Sequence, residues 1–402
     1  MNAQRPKIAV LADWWWPETV GGAERSARAA ALELARFATV EVFVPADEEK
    51  VYPDGPLTVH AVRRPFGRRA HADSKVRRGL EFLTAWLWPP IAGRLGRRLR
   101  AFGPDVVVAT NVSRTGPWLV RRARALRKET GTRFVRVYHD LSDTCWRRSR
   151  LKGGTSCAQV CGECSVKTRI MRAAQPADGL AVCVSGFVQT ELVAARLTTP
   201  ARSLVAYPML GARGAAPTPP HRPAGDLVTG YIGRLDAVKG IESAIRAAAA
   251  YRRGTGKAVS MLVAGEGHPD YVRTLAELAR AEGLDVELAG HLDVDAFCAR
   301  VDVVLIPSKW MEPFGRVAVE VGRRGLPMLI SPVGGLPEAA AVSGGRFGFA
   351  DFDDPEAAAR SLAALLDGAV ADVPAARSAP PIEEGVALAV RHSLDARAGA
   401  GR

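Results

Sequence analysis

Three stretches of the 402-residue sequence combine glycines with charged side chains at spacings suited to binding anions and polyols. The first is Asp13-Trp-Trp-Trp-Pro-Glu-Thr-Val-Gly21-Gly22-Ala-Glu24-Arg25, after which a helical pattern begins near Ala23. Paired glycines opening a helix let backbone N–H groups approach a phosphate closely; the same pair also suits a tight turn. The second is Gly230-Tyr-Ile-Gly233-Arg234-Leu-Asp-Ala-Val-Lys239-Gly240, with two cations five residues apart between a strand and a helix. Arg offers a bidentate fork and Lys a point charge, a pair fitted to a diphosphate, although surface charges flanking a strand-to-helix loop have the same spacing. The third is Glu312-Pro-Phe314-Gly315-Arg-Val-Ala-Val-Glu320. Its first glutamate lies in a loop and its second one to two turns inside the following helix, where both could accept hydrogen bonds from sugar hydroxyls. A glutamate favoured by a helix N-terminus and an exposed helical glutamate are the plainer readings of the two.

These motifs need strands and helices to place them. Apolar, β-branched runs alternate with amphipathic stretches: Ile8 to Leu11, Val40 to Val44, Val106 to Ala109, Phe134 to Tyr138 and Leu180 to Val184. The pattern stops in a Gly-, Pro- and Ala-rich segment, Gly211 to Asp226. It restarts with Leu227 to Ile232, Met261 to Val263, Val286 to Leu288, Val303 to Ile306 and Met328 to Ile330. Such alternation predicts parallel sheets wrapped by helices. We therefore expect an α/β protein of two Rossmann-like domains, 1–210 and 227–402, joined by a linker at 211–226. Ligands of such sheets bind outside the carboxyl ends of the strands, where all three motifs fall. From Val370 the tail is Ala-rich and Pro-interrupted, with one helix expected near Glu383 to Leu394.

Charge is distributed unevenly. Residues 1–210 carry 34 Lys and Arg against 18 Asp and Glu, a net +16 in a chain whose total is +13, so the rest is mildly acidic. Excess positive charge attracts nucleic acid, anionic membranes and acidic small molecules alike. No nucleic-acid module accompanies it, and solvated helix faces account for the Arg runs. Met1 to Pro6 leads straight into a strand with no apolar leader, and no stretch reaches the roughly 18 apolar residues of a membrane span, so a cytoplasmic location is the expectation.

Taken together and in this order, GG-A-E-R, G-R-L-x-x-x-K-G and E-P-F-G-x-x-x-x-E resemble the GT-B glycosyltransferases of family 4, over residues 7 to about 368. The resemblance implies two Rossmann-like domains facing across a cleft. It also implies transfer of a sugar from a nucleotide-diphosphate donor, UDP being the first expectation, to a small-molecule or glycan acceptor with retained anomeric configuration and no catalytic metal. Carried onto this sequence, Arg234 and Lys239 grip the donor diphosphate with help from the Gly21–Gly22 backbone. Glu320 holds the nucleotide ribose, and Glu312 with the backbone around Phe314 and Gly315 contacts the donor sugar. His139, after the strand Phe134 to Tyr138, stands beside the transferring sugar. Two other readings remain: a nucleotide-sugar epimerase of the same fold, and a nucleotide-sugar-binding protein without catalysis.

Three further features call for a reading. Cys145, Cys157, Cys161 and Cys164 lie within a Gly-, Ser- and Arg-rich segment, and their spacing suits a structural four-thiolate zinc site, with disulfides or free thiols as the alternatives. Cys183 and Cys298 sit in apolar contexts and read as core. Asp351-Phe-Asp353-Asp354 resembles an Asp-x-Asp metal motif, yet Asp354-Pro355-Glu356 reads as a helix cap with Pro at the first helical position. Finally, Gly79 to Arg100, with Trp86, Trp88 and four terminal arginines, has the composition of an interfacial segment, though Pro89-Pro90 would break its helix and its apolar residues could pack on the sheet; peripheral contact with an anionic membrane is the less favoured reading, a soluble acceptor drawn into a positively charged cleft the preferred one.

Overall fold

In the computed structural model the apolar runs of the sequence form the central strands of two sheets, buried on both faces, while edge strands are more exposed. Residues 5–17, 21–63, 86, 90–112, 116–153, 155–157, 159–208, 226–372 and 378–399 are described. Contacts divide the chain into two units: one comprises Met1–Arg148, Gln159–Met209 and Ala379–Arg402, the other Ser149–Ala158 and Leu210–Ser378.

The first unit is built on strands β1 (Lys7–Leu11), β2 (Thr39–Ala46), β3 (Lys50–Asp54), β4 (Leu57–Arg63), β5 (Val106–Ala109) and β6 (Arg133–Tyr138). After the β7–β8 hairpin (Leu151–Lys152, Thr155–Ser156) of the other unit come β9 (Leu180–Cys183) and β10 (Ser203–Val205). The sheet order is β10-β9-β6-β5-β1-β2-β4-β3, with every pairing parallel except β3 on β4. In β1, Ile8 to Leu11 are all essentially inaccessible, as continuous apolar runs in parallel sheets should be. Helix α1 (Gly22–Leu34) buries Ala27, Ala30, Ala31 and Leu34, the spacing of one helical face. Helices α2 (Pro90–Phe102), α3 (Gly116–Thr130), α4 (Gly162–Ala174) and α5 (Gly186–Ala194) follow in this unit among the described residues.

The second unit has six parallel strands: β11 (Leu227–Ile232), β12 (Val259–Ala264), β13 (Asp285–Gly290), β14 (Val303–Ile306), β15 (Met328–Ile330) and β16 (Phe347–Phe349). Their order is β13-β12-β11-β14-β15-β16. Chain direction across the sheet reverses between β11 and β14, and that is the topological switch point where doubly wound sheets hold ligands. Helices α6 (Ile241–Thr255), α7 (Pro269–Ala281), α8 (Val294–Cys298), α9 (Arg316–Gly322) and α10 (Leu336–Ser343) connect the strands, and α11 (Pro355–Leu366) follows the last of them. Alanines 244 and 247–250 of α6 are fully buried between the sheet and α11, both of which their small side chains let approach.

One boundary differs from the sequence expectation. The tail was assigned with residues 227–402, but residues 379–402 belong to the first unit. Helix α12 (Ile382–Gly399) buries Ile382, Val386, Ala389 and Val390 there, Ile382 N–H bonds Tyr207 O at 2.8 Å, and Arg397 pairs with Asp105 at 2.6 Å. An amphipathic pattern shows that a helix has a buried face without showing which sheet covers it. The linker expected at 211–226 lies outside the described residues except for Asp226, as do 79–85 and 87–89 of the tryptophan-rich segment. Among the described residues no helix is long and apolar enough to cross a membrane.

Candidate active site

At the switch point of the second unit, the loops leaving β11 and β14 are tied together. Lys309 N–H donates to Val238 O at 3.0 Å. The first loop is shaped by the Tyr231 hydroxyl, which donates to Arg234 O at 2.9 Å, and by Asp236, whose carboxylate caps the short turn Ala237–Lys239 through Val238 N–H. Gly240 follows with φ 72°, and a Cβ there would stand 2.0 Å from Pro307 O. Only glycine accepts both that backbone and that approach, so the residue after Lys239 sets how closely the two loops meet.

This approach brings Lys239 onto the second loop. Its Nζ lies 2.6 Å from Glu312 Oε1 and 4.9 Å from the centre of the Trp310 ring. The Ser308 hydroxyl donates to the same carboxylate oxygen at 2.7 Å. Glu312 is buried and its carbonyl accepts from Gly335 N–H at 2.7 Å, so both backbone and side chain are fixed. Gly315, at φ 106°, starts α9 against Leu336, whose Cδ1 would lie 2.6 Å from an added Cβ; Phe314 beside it is buried. Of the residues singled out from sequence, Lys239 and Glu312 are therefore in direct contact. Arg234 shares the loop but points to solvent, 65% exposed and 3.3 Å from Asp236. Glu320 is half-buried on α9 and paired with Arg316, one turn earlier, at 3.0 Å. Ser308 and Trp310 were not singled out; their signal was the segment Pro307-Ser308-Lys-Trp310-Met311 directly after a strand.

In the first unit the switch point lies between β1 and β5, and here too a backbone bond ties the loops: Asp13 N–H donates to Asn111 O at 2.7 Å. Asn111 Nδ2 donates to Glu24 Oε1 at 3.1 Å, seating a buried carboxylate in the first turn of α1. Gly21 is the N-cap of that helix and makes no side-chain cap, leaving the Gly21–Gly22 backbone at an open helix start. His139 follows β6. Its Nε2 is buried without a hydrogen-bond partner among the described residues, and desolvation, aided by Arg136 and opposed by Asp140, pushes its pKa down to about 4. The ring is thus neutral at physiological pH.

Beneath His139 lies a cluster that the sequence reading missed. Arg136, inside β6, puts Nη2 3.1 Å from both carboxylate oxygens of Asp143, and its Nη1 donates to Ala109 O at 3.2 Å and to Thr110 O. Both charged side chains are nearly inaccessible. Tyr138 and Gln175 exchange a 2.8 Å hydrogen bond nearby. The available signal was an arginine within the apolar run Phe134 to Tyr138, since a charge in a buried strand must be paired.

The four-thiolate zinc site is not assembled. Among the described residues no group of three or more His, Cys, Asp or Glu is placed to hold a metal. Cys157 lies in the segment 149–158 that packs with the second unit, whereas Cys145, Cys161 and Cys164 belong to the first. All six cysteines are free thiols, and burial pushes Cys164 up to about 11. The segment draws its order from packing instead: Lys167 Nζ lies 4.5 Å from the Trp146 ring and 5.5 Å from Trp86, and the two tryptophan rings meet at 4.7 Å, tilted by 59°. Cys183 and Cys298 are buried core residues. Asp354 is a helix cap, accepting from Glu356 and Ala357 N–H groups at 3.0 Å.

Two parallel α/β units with charged, glycine-hinged loops at the carboxyl ends of their switch strands define a GT-B architecture. Known proteins agree. The model of Glycosyltransferase Family 4 matches residues 20–208, and that of Glycosyl transferases group 1 matches residues 217–376. The chain belongs to the GT-B glycosyltransferases of family 4. A Klebsiella pneumoniae protein encoded in the cps region is 36% identical over 120 residues, and a Mycobacterium tuberculosis glycogen synthase 38% over 113 residues. These matches span only 30% and 27% of either partner. The crystal structure of Anabaena HepE in complex with UDP and glucose superposes with a TM-score of 0.61 at 18% identity, covering 98% of this chain and 97% of that one, a likeness of fold.

Proposed function

We propose that this chain transfers a sugar from a nucleotide-diphosphate sugar to an acceptor hydroxyl with retention of configuration. The observation that carries the reading is the Lys239–Glu312–Ser308 contact at the switch point of the second unit. A lysine ammonium held by one carboxylate and one ring face can exchange that carboxylate for a diphosphate. Glu312 is then released to accept hydroxyl hydrogen bonds from the donor sugar, alongside the backbone of Phe314 and Gly315. Arg234, exposed on the same loop, adds a bidentate fork to the diphosphate, and Glu320 receives the ribose hydroxyls. The two cations neutralise charge developing on the leaving diphosphate, so stabilisation of the leaving group is supplied by the chain itself. Retention follows from attack of the acceptor on the face the diphosphate leaves, the departing phosphate taking the acceptor proton. UDP is the preferred nucleotide, in keeping with the UDP bound by Anabaena HepE. His139, held neutral, serves as a hydrogen-bonding group for the acceptor side rather than as a cation. The acceptor is a polyol or glycan, and an acidic one fits the basic first unit.

Calorimetry with UDP, GDP, ADP and dTDP tests the donor assignment. UDP should bind most tightly, and Lys239→Ala or Arg234→Ala should weaken it by about 1.5 to 3 kcal/mol, roughly 10- to 150-fold in Kd. Unchanged UDP affinity in both variants sinks the diphosphate site. A product with inverted anomeric configuration by NMR sinks retention, and conversion of the donor sugar without transfer points to an epimerase.

A further inference from the structure

The fold treats the three consecutive tryptophans after β1 unequally. Trp14 and Trp15 are buried, at 6% and 3% exposure, whereas Trp16 is 50% exposed. Trp16 is nonetheless held in place. Its carbonyl accepts from the Tyr52 hydroxyl at 2.6 Å, and the guanidinium of Arg28 lies over its ring, 5.7 Å from the centre. Arg28 is itself fixed, its Nε and Nη2 donating to the two carboxylate oxygens of Asp54 at 2.8 and 2.6 Å. Asp54 is buried and also accepts from the indole N–H of Trp15 at 3.0 Å. Tyr52 and Asp54 both belong to β3, so the edge strand of the sheet grips the loop that follows β1.

A lone exposed apolar side chain needs no explanation, but Trp16 is immobilised while exposed. Ordering its side chain costs entropy that burial of its open half does nothing to offset. It also stands at the carboxyl end of a strand that flanks the switch point, shortly before the open helix start at Gly21–Gly22, where doubly wound sheets hold ligands. We propose that Trp16 is a stacking platform for a pyranose ring of the acceptor. A pyranose carries C–H groups on its faces and hydroxyls at its rim, and an indole covers the first while leaving the second in water. Arg28 occupies one face of the indole, which leaves the other for the sugar. Arg28 and Tyr52 are thereby positioning residues. That the pyranose belongs to the acceptor rests on the transfer reaction proposed above; that Trp16 stacks a pyranose does not.

Saturation-transfer NMR on the full-length protein without donor tests the platform, with the methyl pyranosides of glucose, galactose, mannose and glucuronic acid as probes. At least one should receive saturation, strongest at the C–H protons of one ring face, and titration gives its Kd. Trp16→Ala should weaken that Kd by about three- to tenfold, and Trp16→Leu, apolar but not aromatic, by as much. Trp16→Phe should retain most of the binding, and UDP affinity should stay as in wild type in all three. Should the alanine variant fail to fold, the contrast between leucine and phenylalanine decides. Absence of saturation on every probe, or equal pyranoside binding in Trp16→Leu and wild type, overturns the platform. So does a loss of UDP affinity in the variants, which would move Trp16 to the donor side. If pyranoside binding depends on Trp16 but no acceptor receives a sugar, the platform stands and the transfer reaction falls.

Discussion

The two units close their switch points with the same device and then fill them differently. In each, a backbone hydrogen bond ties the loop after the first strand to the loop after the fourth core strand: Asp13 to Asn111 in one, Lys309 to Val238 in the other. In the second unit the charges above this tie come from two contiguous loops, 233–240 and 307–315. The cations among them stay at least partly open to solvent, with Lys239 at 21% exposure and Arg234 at 65%, over a buried Glu312. In the first unit the most buried ion pair among the described residues, Arg136 and Asp143, lies inside the strand layer and is almost inaccessible. A charge destined to meet a ligand must remain exchangeable, whereas a charge that shapes backbone is sealed in. On the proposed function the second unit's pair is the one that trades partners, while the first unit's serves as scaffold for the segment following β6.

Breaking the sealed pair should have the largest effect. Removal of one partner leaves the other charge buried and uncompensated, so Arg136→Ala or Asp143→Ala should each cost about 3 to 5 kcal/mol, read as the loss of the first unit's thermal transition. Replacing both by apolar residues of similar volume should recover most of that loss. If either single variant melts like the wild type, the contrast between sealed and exchangeable charge collapses.

That contrast also explains what the sequence could disclose. The second unit's site was legible because its residues are neighbours in sequence and follow directly on strands whose burial makes them continuous apolar runs. The first unit's cluster draws Arg136 from β6, Thr110 from the end of β5, and Asp143 and Gln175 from segments separated by up to 32 residues. No local pattern connects those positions, and only an arginine set between Val135 and Val137 hinted at them. The β3–β4 hairpin and β16 were overlooked because Lys50–Asp54 is largely exposed and Phe347–Phe349 is only three residues long. Cysteine spacing suggested zinc, but spacing along the chain does not fix which unit each cysteine packs with, and Cys157 parts from the other three on that account. The carboxyl-terminal helix was visible as a helix and misassigned in partner for the same reason.

A glycine pair sharpens the comparison within the second unit. Gly240 and Gly256 have nearly the same left-handed backbone, φ 72° and 68°, but a Cβ on Gly240 would meet Pro307 O at 2.0 Å, while nothing lies within 4 Å of one on Gly256. Gly256→Ala should therefore cost only the left-handed conformation, about 1 kcal/mol. Gly240→Ala adds the collision between the two loops and should cost about 2 to 4 kcal/mol, together with a loss of nucleotide affinity. Chemical unfolding of both variants measures the difference. Equal losses, with UDP binding intact, mean that the approach of the loops is not what holds Lys239 on Glu312.

The smallest expected effect belongs to His139, and it is a dependence on pH. Its folded-state pKa of about 4 lies below the ordinary value of 6.5 because burial disfavours the imidazolium; the attraction of Asp140 outweighs the repulsion of Arg136 but not that desolvation. The unfolded chain consequently takes up this proton first as pH falls. Stability contributed by the neutral ring is complete above about pH 6.5 and is lost progressively toward pH 4, where both states are protonated. At pH 5.5 the loss should be on the order of 1 kcal/mol. Carboxylates titrating in the same range contribute their own slope, so the quantity to compare is the drop in unfolding free energy from pH 7.5 to 5.5 in wild type and in His139→Gln, which carries no titrating ring. The variant should show the smaller drop. An identical drop in both would mean that His139 meets water freely at the strand end, and the sealed interior assigned to the first unit would then stop short of it.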